Sequence, residues 1–269
     1  MGGALSAGHG GMGDNMDYRN YVFDLYGTLI DVRTDEWKPS LWKRMAALYA
    51  VYGAEYRWPE LWEAYFRAVG EAEDALRARG AVWPEIRLED VFFRLLTDRT
   101  GSASGVPDPD TWLRLIANVF RVLSRERLRL YPGTLPALDA LRQGGCRLFL
   151  LSNAQAAFTG PELAACGLTS YFEGLYLSSD FGVKKPEGAF LRRLLEDHAL
   201  DPDETVMIGN DAASDMAVAD ACGLDSVLLN TAGETETAVR ERIAVCGLRS
   251  PERVRVLLRG DLRELAELG

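Results

Sequence analysis

The stretch Tyr21–Val32, YVFDLYGTLIDV, runs from apolar residues into an aspartate and then into a Gly-Thr turn. Tyr21, Val22 and Phe23 favour extended backbone, so a strand is expected over about residues 19–25, with Asp24 at its end. Two features of the stretch need a reason. A carboxylate closes a hydrophobic strand, and a tyrosine, Tyr26, stands two residues beyond it.

The chain around this stretch divides by pattern. Residues 1–17 are Gly-rich and aperiodic and read as a disordered leader, with Met16 an alternative start. From about 35 to 127, four segments carry apolar residues at helical spacing, with Pro59 and Asp110 as early-turn residues and Gly53, Gly80 and Gly101 as stops. All six tryptophans fall in this span, either as the core of an all-helical insert or with one or two facing a substrate cleft. After it, the apolar runs CRLFLLSN, GLYLSS, TVMIGND and DSVLLN alternate with helical stretches. Strands alternating with helices imply a parallel sheet covered on both faces, an α/β fold whose ligands bind at the carboxyl ends of the strands. The expected organisation is a core of residues 18–34 and 128–269 with a four-helix insert over 35–127. The tail beyond about 232 reads as a helix followed by a closing segment without recognisable chemistry.

Bulk properties narrow the partners. The 269 residues carry a formal net charge of −10, which disfavours nucleic acid and anionic membranes. No apolar run approaches the roughly 18 residues of a membrane span. Four scattered cysteines without a CxxC, and no signal peptide, read as reduced thiols in a cytoplasmic protein. His9 and His198 lie far apart with no partner group in a motif. Only four lysines are present, and two of them, Lys184 and Lys185, are adjacent.

Polar groups then cluster at successive strand ends: Asp24 and Thr28, Ser152 and Asn153, Lys185, and finally Asp211 and Asp215. Each alone reads as a helix cap, a turn or a solvated charge. Together, four loops bring three carboxylates, one ammonium and small hydroxyls to one rim, and the acids would repel one another unless a cation is present.

The motifs DLYGTL, LLSNA, KKPEGAF and IGNDAASD, in that order, resemble those of the haloacid dehalogenase superfamily of hydrolases, over about residues 18–231. The resemblance implies a Rossmann-like three-layer α/β/α core with a parallel sheet and a helical cap of the C1 type between the first two motifs. It implies that Asp24 is a nucleophile forming an aspartyl intermediate. Thr28 would orient its loop, and Ser152 with the backbone of Asn153 would hold phosphate. Lys185 would neutralise the reacting groups. Mg²⁺, a hard cation that prefers oxygen ligands, would sit on Asp24, Asp211, Asp215 and the carbonyl of Tyr26. The implied activity is Mg²⁺-dependent hydrolysis of a small phosphorylated metabolite.

Phosphatases of the superfamily carry an acid–base aspartate where this chain has Tyr26. A phenol of ordinary pKa, about 10, is a poor base at neutral pH. Tyrosine there is the habit of the 2-haloacid dehalogenase branch, whose chloride leaves without a proton, so metal-free dehalogenation is an alternative. Against it stand the retained Asp211 and Asp215, Lys43 rather than an arginine after Leu41-Trp42, and Phe190 and Leu191 where that branch has a tyrosine. A leaving group that needs no proton, a cap acid (Asp31, Asp35 or Glu36 by position), or a weakly active or non-catalytic phosphate-binding protein would each accommodate Tyr26.

Overall fold

Short apolar runs become strands here because both faces of the sheet are covered, so every residue of a central strand is buried. In the structure, a computed structural model that describes residues 18–102 and 105–267, β1 (Asn20–Phe23) and β6 (Thr205–Gly209) are buried throughout. The leader assigned to residues 1–17 lies outside the described residues. With β4 (Arg147–Ser152), β5 (Gly174–Leu177), β7 (Asp225–Leu229) and β8 (Val254–Leu257), these strands form one six-stranded sheet in the order β5-β4-β1-β6-β7-β8, parallel throughout. Phe23 registers with Leu150 on one side and with Ile208 on the other, so β1 is central.

Alternation along β1 assigns the layers. Tyr21 and Phe23 join the core under α5 (Thr134–Gln143) and α6 (Ala156–Ala165), where Leu138 and Leu163 are buried. Val22 faces the other way, with Phe149 and Met207, onto α8 (Gly188–Asp197) and α9 (Ala217–Cys222). Beside them α10 (Glu236–Val245) packs Val239 and Ile243 on Leu228. The short α7 (Ser178–Phe181) follows β5 directly.

The insert is helical: α1 (Pro39–Val51), α2 (Trp58–Ala78), α3 (Leu88–Thr100) and α4 (Pro109–Ser124). It has an apolar core of its own, with Trp42, Tyr49, Phe92, Trp112 and Phe120 almost fully buried. The tryptophans divide accordingly. Trp42 and Trp112 are core, whereas Trp37 is 65% and Trp83 46% exposed. Asp110 lies in the first turn of α4 as expected, and the cap is Asp108, whose side chain accepts from Thr111 N.

Three strands were not read from sequence. β8 forms from RVRVLL as the half-buried sheet edge. β2 (Ile30–Thr34) and β3 (Arg125–Leu130) pair antiparallel at the root of the insert. Because β3 begins at Arg125, the chain rejoins the core before residue 127, where the sequence places the end of the insert.

Candidate active site

Asp24 leaves the end of β1 with its backbone N–H still bonded to Ile208 O, at 2.8 Å. The next residues wind into a tight turn in which Leu25 O accepts from Leu29 N at 2.8 Å and from Ile30 N at 2.9 Å. Thr231 Oγ donates to Gly27 O at 2.6 Å and Thr134 Oγ to Leu29 O at 3.1 Å, so the loop is fixed from two other elements. Gly27 has φ +87°, and a Cβ there would collide with the Asn210 side chain. Glycine is therefore required both by backbone and by close approach.

Four loops converge on the Asp24 carboxylate, which is 6% exposed. Lys185 Nζ donates to Asp24 Oδ1 at 2.7 Å and Ser152 Oγ donates to the same oxygen at 3.2 Å. Thr28 Oγ donates to Oδ2 at 3.1 Å. Lys185 is itself buried, and its other two protons go to Asp215 Oδ1 at 2.7 Å and Leu151 O at 2.8 Å. Three acceptors match the three donors of an ammonium. Burial by itself would lower the Lys185 pKa, but Asp215 and Asp24 together outweigh it and hold the pKa above its ordinary value. Burial, with Asp24 adding, pushes Asp215 up to about 6 against the pull of Lys185 and of backbone N–H groups. Two acids share one base, so the buried trio tends toward a net negative charge.

Asn153 is placed as a clamp. Its side chain donates to Lys185 O at 3.0 Å and accepts from Lys185 N at 2.8 Å, which sets the lysine backbone.

The expected pair of metal ligands, Asp211 and Asp215, is not assembled. Asp211 turns onto the π-helical turn that follows it, accepting from Ala213 N at 3.2 Å and Ser214 Oγ at 2.7 Å. Asp215 spends Oδ1 on Lys185, while Oδ2 accepts from Asn210 N at 3.1 Å and Asp211 N at 3.0 Å. Gly209 leaves room for that carboxylate, since a Cβ there would overlap it. Among the described residues no group of three or more His, Cys, Asp or Glu side chains is placed to hold a metal ion. The side chain that faces the nucleophile from this loop is Asn210, whose Oδ1 accepts from the same Thr28 hydroxyl at 3.3 Å. Asn210 was missed in the sequence because the acids beside it carried the charge. The signal that could have found the arrangement is Asp-x-x-Ser at 211–214, a capping pattern.

Tyr26 is held away from acid–base work. Its hydroxyl donates to Glu162 Oε2 at 2.5 Å and lies 3.2 Å from Thr159 Oγ. Glu162, buried on α6, also takes Arg121 Nε at 2.8 Å and Arg125 at 3.0 Å. Arg121, from the last turn of α4, lies over the Tyr26 ring at 5.2 Å and the Phe158 ring at 4.6 Å. Burial and the Glu162 carboxylate push the phenol pKa well above its ordinary value. Burial would raise Glu162, but Arg121, Tyr26 and Arg125 bring it below the usual carboxylate range. The phenol is thus a strut between the nucleophile loop and the root of the insert. Tyr26→Phe is expected to cost about 1–3 kcal/mol of stability in urea denaturation, the range for a hydrogen bond to a charged group. It should leave turnover within about tenfold of the parent, far less than the ~10²–10⁴ that loss of a general acid removes.

The insert is clasped to the core beside these loops. Gln155 Nε2 donates to Glu85 Oε1 at 3.0 Å and to Ile86 O at 2.9 Å, and its Oε1 accepts from Leu88 N at 2.9 Å. Lys184 reaches Glu85 Oε2 at 3.6 Å. A cleft of about 510 Å³ opens alongside, lined by Leu76, Glu85, Arg94 and Phe181 among others.

Comparison with known proteins agrees with this architecture. The family model described as haloacid dehalogenase-like hydrolase matches residues 18–223. A phosphoglycolate phosphatase of Nitrosospira multiformis is 33% identical over 127 residues, 46% of this chain and 56% of that enzyme, so the match spans little over half of that relative's length. A phosphoglycolate phosphatase of Agrobacterium fabrum is 24% identical over 211 residues, 77% of this chain and 78% of the enzyme. Among solved structures, a 2-haloacid dehalogenase from Pseudomonas syringae superposes with a TM-score of 0.63 at 21% identity, covering 93% of this chain and 97% of that one. With its parallel core, its helical insert and its buried Asp24–Lys185 pair, the chain belongs to the haloacid dehalogenase-like hydrolases.

Proposed function

We propose that this chain is a phosphomonoester hydrolase that acts on a small phosphorylated metabolite through an aspartyl-phosphate on Asp24. The observation that carries this reading over dehalogenation is where the cations lie. Lys43, which stands in place of the arginine that would grip a haloacid, is exposed on α1, with its Nζ 6.0 Å from the Trp58 ring centroid. Phe190 and Leu191, in the place of the dehalogenase branch's tyrosine, are fully buried in the core beneath the sheet. The phosphatase names of the sequence relatives support the same side.

A carboxylate oxygen of Asp24 attacks phosphorus, and the ester oxygen leaves with its electron pair. Lys185 holds Asp24 in place through a 2.7 Å ion pair and balances charge on the transferring group. Ser152 and Thr28 fix the two carboxylate oxygens, and Asp215, Leu151 O and Asn153 fix the lysine. Asp24 and Asp215 against one Lys185 leave no surplus positive charge to receive a phosphate dianion, which argues for a bound cation. Mg²⁺ commonly takes only one or two carboxylates together with substrate oxygens and waters. The oxygens of Asp24, the amide oxygen of Asn210 and the carbonyl of Tyr26 suit it, and would hold it in place of the expected acidic pair. When bound it neutralises the phosphoryl oxygens. Asp211→Ala is therefore expected to cost about 0.5–2 kcal/mol as a lost cap and to leave Mg²⁺ affinity unchanged. Asn210→Ala should weaken Mg²⁺ binding, read by calorimetric titration of the metal with inorganic phosphate present.

No described helix is long and apolar enough to cross a membrane. The test of the reading is release of phosphate from p-nitrophenyl phosphate and phosphoglycolate with Mg²⁺ and with EDTA, beside chloride release from 2-chloropropionate. Mg²⁺-dependent phosphate release is the expected result. EDTA-insensitive chloride release without phosphate release overturns the proposal.

A further inference from the structure

A phosphomonoester hydrolase needs a proton for its leaving alcohol and a base for the water that follows, and Tyr26 is committed elsewhere. Each carboxylate near the root of the insert can be followed to its partners. Asp31 is paired with Arg127 at 2.7 Å and Arg129 at 2.9 Å. Asp35 accepts from Trp37 N at 2.9 Å. Glu85 is tied to Gln155 and Lys184, and Glu162 to Tyr26 and two arginines. Glu36 differs. Among the described residues nothing donates a hydrogen bond to its carboxyl and no ion pair holds it.

Its backbone, by contrast, is fixed. Glu36 O accepts from Trp42 Nε1 at 2.7 Å, and the neighbouring Asp35 N donates to Ser124 O at 2.9 Å. Lys38 Nζ reaches the same Ser124 carbonyl at 3.2 Å. Trp37 stacks on Phe66 at 4.5 Å. Glu36 therefore sits on a rigid hinge where β2 passes into α1. Its side chain is half-buried, and Arg121 of α4 and Tyr65 of α2 are the groups coupled to its charge. Arg121 is also the guanidinium that covers Tyr26, two residues from the nucleophile.

Resting on the hydrolase reading above, we infer that the Glu36 carboxyl, carried on the hinge of the cap, supplies the proton and the base that Tyr26 is placed not to supply. Asp24 attacks phosphorus, the P–O ester bond breaks, and the departing oxygen takes its proton from Glu36 as the alcohol leaves. Water then attacks phosphorus of the aspartyl-phosphate, Glu36 takes a proton from that water, and the P–Oδ bond breaks. Its electron pair returns to Asp24, inorganic phosphate departs, and Glu36 is again protonated. Burial, opposed only by Arg121, raises the Glu36 pKa, the direction that favours a protonated acid near neutral pH.

The experiment compares two esters of similar size, phenyl phosphate with a poor leaving group and p-nitrophenyl phosphate with a good one, on the full chain with Mg²⁺. Glu36→Gln should lower kcat/KM for phenyl phosphate by ~10²-fold or more, and for p-nitrophenyl phosphate by less than about tenfold. It should also give a burst of nitrophenol equal to the enzyme, because hydrolysis of the aspartyl-phosphate loses its base. Formate should restore part of the phenyl phosphate activity of Glu36→Ala, which separates lost chemistry from lost folding. Equal losses on both esters, or no loss, with no burst and no rescue, overturn the inference while the hydrolase reading stands. Parent protein that releases phosphate from neither ester overturns both.

Discussion

Asp24→Asn is expected to abolish the proposed phosphate release, with a loss of about 10⁶-fold, the size seen when a covalent nucleophile is removed. The side chain keeps its shape, although only one of Thr28 and Ser152 retains an oxygen to bond while the other faces the NH2 group, and an amide cannot form the acyl phosphate. Stability should move the other way. The parent buries two carboxylates around one ammonium, and Asp24 is one of the groups that raise Asp215. Removing its charge leaves Lys185 paired with Asp215 alone, and the Asp215 pKa should fall from about 6. Urea denaturation should show the variant no less stable than the parent. A clearly destabilised Asp24→Asn would mean that the Asp24 charge, rather than its reactivity, is what the fold uses.

Lys185→Met has the opposite profile and is expected to cost about 3–5 kcal/mol, because breaking a buried pair leaves uncompensated charge behind. Here one ammonium serves two carboxylates, each at 2.7 Å. Turnover is lost as well, since nothing then balances the charge on the transferring group. The sign of the pH effect follows from the carboxylates. Asp215 is already raised above its unfolded value with Lys185 present, and without the lysine it rises further. A raised acid binds its proton more tightly folded than unfolded, so this part of the deficit is fully present above the variant's Asp215 pKa and is lost as pH falls toward about 6, where the parent's Asp215 also protonates. Lys185→Arg should not rescue activity. The guanidinium is a planar fork, and the niche is cut for a compact ammonium with three acceptors around it.

Much of the core was legible because parallel, doubly covered strands are apolar along their whole length. The runs at 20–23, 147–152, 205–209 and 225–229 announce themselves without any partner. β8 escaped because an edge strand is half-buried and its arginine breaks the run. β2 and β3 escaped because Ile30 meets Leu130 and Arg33 meets Arg127 across nearly the whole insert, and no local pattern marks such a pairing. In the site, Asp24, Thr28, Ser152 and Lys185 were found because each follows a strand whose end lies on the same rim. Asp211, expected as a ligand, caps the turn that follows it, and the side chain that meets Thr28 is that of its neighbour Asn210, since neighbouring side chains leave a turn in different directions. Arg121 and Glu162 gave no sign at all. Each is an unremarkable charge on its own helix, and only packing turns them toward Tyr26.

The sequence by itself determined the sheet, the helical insert, the family and the order in which chemical groups arrive at the strand ends, because those follow from periodicity and from residue type along the chain. Tertiary structure alone decided which acid stands free and which is spent. It committed Tyr26 to Glu162, Asp211 to its own helix and Asp215 to Lys185, and it left Glu36 on the hinge with no partner among the described residues. The physical reason is that a carboxylate's role depends on the donors within about 3 Å of it, and in this protein most of those donors come from residues far away in sequence.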